Sequence, residues 1–111
     1  MSPTTDYVVI LTTLPVDADA EAFARTLVYE RLAACVNLLP PMASIYRWDG
    51  RVQQDAERQV VIKTSRARAA ALRARVGELH PYEVPEFIVV SIADGSDAYL
   101  RWMGEMTSIG S

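Results

Sequence analysis

The chain offers one thiol, Cys35, and one imidazole, His80, and those two counts bound its chemistry. No Ser-His-Asp or Cys-His arrangement can be built without His80. One cysteine closes no intrachain disulfide, and no zinc-finger spacing is present. Thiolate and imidazole together suit copper or zinc. Cys35 sits among Ala33, Ala34 and Val36, which is equally the setting of a small core residue. Met42 and Met103 add soft sulfur, although Met usually fills space. His80 opens the run HPYEVPE (80–86), with two prolines, a tyrosine, Glu83 and Glu86. Pro81 and Pro85 each remove a donor and restrict the preceding residue, so this is a stiff connection able to position a ligand. The plainer reading of His80 is a helix C-terminal residue favoured by the dipole when protonated.

A second constellation surrounds Asp49-Gly50, the strongest hairpin signal in the chain. A two-residue turn there sets Trp48 opposite Arg51, Tyr46 opposite Gln53 and Ser44 opposite Asp55. Alternation then places Trp48, Tyr46, Arg51, Gln53, Asp55 and Glu57 on one face. Lys63, the only lysine beside ten arginines, shares that parity unless Pro40-Pro41 on the partner arm shifts the register. Aromatic rings alternating with charges serve either as a binding surface or as subunit packing. No Gly-rich phosphate loop, HExxH or GxSxG occurs. A catalytic reading would need Glu57, Lys63, His80, Glu83 or Glu86 to share a cleft, and nothing in the spacing requires it.

Periodicity supplies the elements that must hold these groups. Residues 7–12 (YVVILT) read as a strand covered on both faces, stopped by Pro15. Asp17 and Asp19 offer N-caps to a helix whose Ala20, Phe23, Ala24, Leu27 and Val28 form a stripe down to about Arg31. Residues 33–48 form one hairpin arm, broken or bulged at the proline pair, and residues 51–63 the other. Thr64 or Ser65 caps a second helix over 66–80, with Ala69, Leu72, Val76 and Leu79 inward and its arginines solvated. Pro81 ends it. Residues 87–92 form the last strand, and Asp94-Gly95-Ser96 turns into a short terminal helix.

The order β-α-β-β-α-β is the ferredoxin-like pattern, an α+β sandwich with both helices on one side of an antiparallel sheet. Right-handed crossovers place the first and last strands at or beside the centre. Cys35 begins a strand and His80 ends a helix running the other way, so the two lie near opposite ends and pair only across a subunit boundary. Each hairpin arm is also far longer than the outer strands. About half of it lacks an intrachain partner, and an exposed edge with Ile45, Tyr46 and Trp48 calls for another subunit.

Composition closes other routes. With 111 residues the chain makes one domain over 1–111. Half its residues are hydrophobic, which excludes a disordered tail. The net charge of −3 argues against a nucleic-acid partner. No apolar run approaches the length of a membrane span, and no basic segment precedes an apolar one as in a signal peptide. Residues 1–6 read as a polar lead-in. A reducing, cytoplasmic setting suits a single thiol.

Five motifs in register, ERLAACVN (30–37), SIYRWDG (44–50), VVIKT (60–64), HPYEVPE (80–86) and YLRWM (99–103), resemble the CutA family of divalent-cation tolerance proteins over residues 7–107. The resemblance implies a ferredoxin-like subunit in a homotrimer similar to the PII signalling proteins, and no settled biochemical activity; with no catalytic constellation in the sequence, the chain reads as non-enzymatic. It implies a link to tolerance of copper and other divalent metal ions, with Cys35 and His80 as the metal-linked residues; one thiol and one imidazole per chain predict no tightly held metal. Tyr46, Trp48, Glu57, Lys63, Tyr82, Glu86, Tyr99 and Trp102 correspond to residues lining clefts between subunits, where the alternative to a metal is a small anionic or neutral metabolite or a partner protein. Some relatives carry a further Cys in the first strand; here that segment reads VVILTT (8–13), which weakens a multi-thiolate copper site. Arg47 and Ser91 are minor departures.

Overall fold

A computed structural model describes residues 6–109, so most of the polar lead-in lies outside the described residues. The elements run β1 (Tyr7–Pro15), α1 (Ala20–Tyr29), β2 (Cys35–Trp48), β3 (Arg51–Ser65), α2 (Ala69–Leu79), β4 (Ile88–Ser91) and α3 (Asp97–Met106), with a 3-10 turn, Arg66–Arg68, leading into α2. One antiparallel sheet has the order β2-β3-β1-β4, which is the ferredoxin-like arrangement. The centre belongs to β3 and β1. The last strand, expected at or beside the centre, forms an outer edge next to β1.

One face of the sheet builds the core. Along β1 and β3 alternate side chains, Val8, Ile10, Thr12 and Leu14 with Val60, Ile62 and Thr64, are buried. Against them pack Phe23 and Leu27 from α1 and Leu72 and Val76 from α2. Each such large apolar side chain contributes about 1.5–3 kcal/mol by leaving water. Polar groups on this face need partners. Thr64 Oγ1 donates to the Leu32 carbonyl at 2.7 Å, so of the two residues expected to cap the second helix this one ties a loop, while Ser65 takes the N-cap position of the 3-10 turn without a side-chain cap bond. Thr12 Oγ1 is buried with no hydrogen-bond partner among the described residues.

Helix ends follow local chemistry. Asp19 caps α1, its carboxylate accepting from the Ala22 amide at 3.0 Å. The helix stops at Tyr29 rather than near Arg31, because Arg31 adopts a left-handed φ of 59°. The Leu32 amide then reaches the Leu27 carbonyl and the Arg31 amide the Val28 carbonyl, a Schellman ending. The second helix opens as the 3-10 turn and gains α geometry only from Ala69. Its arginines are not all solvated: Arg75 grips both carboxylate oxygens of Glu30 at 2.9 Å, holding the Glu30 carboxyl below its usual range. Arg68 donates to the Arg31 carbonyl at 3.2 Å.

The hairpin forms as the Asp49-Gly50 pair dictates. Asp49 (φ 53°) and Gly50 (φ 75°) are both left-handed, the geometry of a type I′ turn. Trp48↔Arg51, Tyr46↔Gln53 and Ser44↔Asp55 all pair as expected. Between Leu38 and Pro41 the register shifts by one residue, a bulge at the proline pair. The first strand runs on to Pro15, past the expected stop, since Leu14 and Pro15 still face Arg58 and Glu57. Even so, β3 outlasts β1: the Val16 amide still reaches the Ala56 carbonyl at 3.4 Å, and residues 51–55 pair with β2 alone. The 47 Å long dimension matches a fifteen-residue strand at about 3.3 Å per residue.

The second face is mostly bare. Only α3 crosses it, at the end where β1 starts, with Met103 buried and Thr107 Oγ1 donating to Ser65 Oγ at 2.9 Å. The helix approaches so closely that a Cβ on Gly104 would fall 2.8 Å from the Tyr7 hydroxyl.

The orphaned hydroxyl of Thr12 gives a direct test. Thr12→Val removes a buried, unsatisfied group and keeps the shape, so stability should rise by about 1 kcal/mol in urea denaturation. A loss of stability would mean that the hydroxyl is satisfied in solution.

Candidate functional site

Where β1 ends and the hairpin continues alone, a groove of about 760 Å³ opens on the bare face. Its strand wall comes from β2 and β3, which place Met42, Tyr46, Trp48, Asp55, Glu57 and Gln59 by alternation. The other wall is the proline-stiffened segment 82–86.

Glu57 is the centre of the groove. It is only 7% exposed. Its Oε2 accepts hydrogen bonds from the Tyr82 hydroxyl at 2.9 Å and from Thr13 Oγ1 at 3.3 Å. Burial and then the hydrogen bond to Glu57 push the Tyr82 phenol up to about 12. Tyr46 donates to Asp55, and that bond, followed by burial, raises its phenol as well. Gln59 Nε2 donates to Glu86 Oε2 at 3.0 Å and to the Thr12 carbonyl at 2.7 Å. The lining carries Asp55, Glu57, Glu83 and Glu86 and no lysine or arginine.

His80 stands behind this groove rather than in it. At the C-cap of α2 it is buried, with Nε2 2.6 Å from the Thr13 carbonyl and Nδ1 accepting from the Tyr82 amide at 3.0 Å. Those two bonds fix the Nε2–H tautomer and leave neither nitrogen free. Its ring lies 4.8 Å from that of Tyr82, and Phe23 meets it edge-on at 6.5 Å. The imidazole thus anchors the segment that forms the groove wall.

The remaining expected residues gather elsewhere on the same face. Cys35, half-buried, pairs across the sheet with Lys63. Lys63 Nζ lies 6.0 Å from the centre of the Tyr99 ring, which tilts against Trp102 at 5.3 Å. Six residues of β3 separate Glu57 from Lys63, about 20 Å at strand rise. The eight expected cleft residues therefore split within one chain: Tyr46, Trp48, Glu57, Tyr82 and Glu86 in the groove, and Lys63, Tyr99 and Trp102 beside Cys35. Among the described residues no three His, Cys, Asp or Glu side chains gather closely enough to hold a metal ion.

Sequence reasoning missed Thr13 and Gln59. Gln59 continues the parity of Asp55 and Glu57 and was within reach of that argument. Thr13 lay beyond the expected end of the first strand, and no local signal marked it as a partner of Glu57.

Fold and groove together define a small α+β, ferredoxin-like protein whose sheet presents a concave, acidic-aromatic site beside an unpaired ribbon. The profile of the CutA1 divalent ion tolerance protein family matches residues 8–106, and the chain belongs to that family. It is 46% identical over 99 residues to the divalent-cation tolerance protein CutA of Thermus thermophilus, covering 89% of this chain and 96% of the relative. Among solved structures it is similar to CutA from Xylella fastidiosa, with TM-score 0.89 and 41% identity over 94% of this chain and all (100%) of the other. It also matches the Archaeoglobus fulgidus protein named as a periplasmic divalent cation tolerance protein CutA, with TM-score 0.87 and 30% identity over 92% and 99% of the two chains. These names describe cation tolerance and no reaction. No helix among the described residues is long and apolar enough to cross a membrane.

The Tyr82–Glu57 bond predicts a spectroscopic signature. In alkaline titration followed at tyrosinate absorbance, one tyrosine should ionise near pH 12, and Tyr82→Phe should remove that late step. Because the folded phenol holds its proton more tightly than the unfolded one, its contribution is complete below about pH 10 and lost as pH rises toward 12. A titration in which every tyrosine ionises near pH 10 refutes the bond.

Proposed function

We propose that this protein is a non-enzymatic homotrimer of the cytoplasm that serves tolerance of divalent metal ions, copper above all, binding them weakly at sites shared between subunits. The observation that carries the reading is the incomplete sheet. The ribbon edge exposes Ile45 and Trp48, and the outer strand β4 exposes Ile88, Val89 and Val90. An open edge with apolar side chains on both faces invites pairing with another copy. The same geometry supports a shared location for the metal sites. Cys35 and His80 sit at different ends of the sheet, so a site using both draws them from different copies. Cys35 supplies the accessible donor, whereas binding at His80 requires one of its two hydrogen bonds to open.

Light scattering at micromolar concentration should give a mass near three times 12.3 kDa. Val90→Asp, at a position 45% exposed in the single chain, should shift the protein toward monomer with little loss of secondary structure. A wild-type monomer would sink the proposal.

Metal binding is tested separately by calorimetric titration with copper(II), zinc and magnesium. Copper should bind most strongly, Cys35→Ser should weaken it, and the fold should survive chelator, because one chain presents too few soft donors for a closed site. Binding should also weaken on acidification, because the donors must be unprotonated to hold the metal. If Cys35→Ser combined with His80→Ala leaves copper binding unchanged, the metal sites lie elsewhere.

A second reading is favoured by the groove itself, whose size is that of a small-molecule pocket. In the manner of PII-like sensors, it would bind a metabolite in the cleft and report it through the trimer.

A further inference from the structure

Within one chain the groove holds a charge without a countercharge. Glu57 is more than nine-tenths buried and lines the cavity, yet only neutral hydroxyls, those of Thr13 and Tyr82, reach it. Both bonds fall on Oε2; Oε1 has no donor among the described residues. A buried carboxylate is costly unless a cation and further hydrogen bonds compensate it. Asp55, Glu83 and Glu86 add negative charge around it, and no lining side chain is basic.

Size and surface decide what kind of cation fits. A bare metal ion needs several donors converging within about 2–2.6 Å of one point, and the carboxylates here are too spread to meet that condition. The cavity of about 760 Å³ is instead that of a small organic molecule. Its walls are largely carbon: Met42, Ile45, Val84 and Pro85 with the rings of Tyr46 and Trp48. Aromatic faces beside carboxylates attract ammonium and guanidinium groups twice, through the ring quadrupole and through charge-assisted hydrogen bonds.

We propose that this groove binds a small organic cation, an amine or guanidinium compound with an apolar body, whose N–H groups donate to Glu57 while the body lies between the hairpin aromatics and residues 82–86. This rests on the sensor reading of the groove but replaces the anionic or neutral metabolite expected from the sequence: an anion would meet four carboxylates there. Within one chain Cys35 does not line the groove.

Four probes with one common body separate the possibilities: benzylamine, benzamidine, benzyl alcohol and benzoate, titrated calorimetrically into the full chain. The two cations should bind, the alcohol much more weakly, and benzoate not at all. Glu57→Gln keeps an acceptor for Tyr82 and removes the charge, so it should weaken benzylamine about tenfold or more. Glu86→Gln, farther from the buried contacts of Glu57, should weaken it in the same direction if the first variant folds poorly.

If benzoate or the alcohol binds as well as benzylamine, the cationic class is wrong while the ligand cleft stands. Should none of the four bind, the sensor reading of the groove falls with the inference. Binding of benzylamine only after Lys63→Ala would identify the native cation as the lysine of a second copy, and would overturn a free ligand.

Discussion

The central constraint is the pairing of one long strand with two unequal neighbours. β3 follows β2 along nearly its whole length, but β1 accompanies it only from Ser65 back to Glu57. Backbone hydrogen bonds hold the first pairing to the turn, so the sheet cannot shorten to match its core. Where β1 leaves off, the side chains of β3 change role. Val60 and Ile62 fill the core, whereas Glu57, the last residue facing β1, carries a charge into the angle between sheet and ribbon. The groove exists because the chain 80–86 must cross that angle on its way from α2 to β4.

His80 links the two halves of that arrangement. Its imidazole joins the carbonyl of Thr13, on the central strand, to the amide of Tyr82, on the groove wall. Tyr82 and Thr13 then meet again on Glu57. The single histidine thus closes a ring of hydrogen bonds through backbone and side chains. Its low exposure and double engagement match a positioning role for the segment 82–86, whatever the segment then contacts.

Much of this was readable from residue order. Alternation and the Asp49-Gly50 turn set the hairpin register, and helical spacing located Phe23, Leu27, Leu72 and Val76 in the core. Those signals are local, acting over a few residues, and they survive folding unchanged. Two features escaped because their causes are not local. The first strand continues through Thr13, Leu14 and Pro15 because β3 is there to pair with it, although proline seemed a stop. The grouping of Glu57 with Thr13 and Tyr82 depends on three segments far apart in sequence, and no pattern within any of them marks it. The shared parity of Lys63 and Glu57 was correct, yet parity says which face a residue shares and nothing about the distance along it. The family resemblance named both clusters as one lining, and a single chain keeps them apart.

The bulge between Leu38 and Pro41 has a consequence for how this strand can change length. On one side of it, even-numbered residues such as Tyr46 and Trp48 share the face of Glu57; on the other side, the odd-numbered Cys35 and Asn37 do. The extra residue works as a phase shift, so that one strand is read in two frames. Deleting a single residue there would join the two halves into one regular ladder with the thiol and the aromatics both kept on the Glu57 face, because Leu38 opposite Val60 and Pro41 opposite Arg58 would then stand two residues apart on each strand. Lengthening the hairpin by a pair of residues at its tip disturbs neither frame. This arm can therefore lose one residue at the proline pair, or gain residues in twos at the tip, without turning a side chain over to the other face.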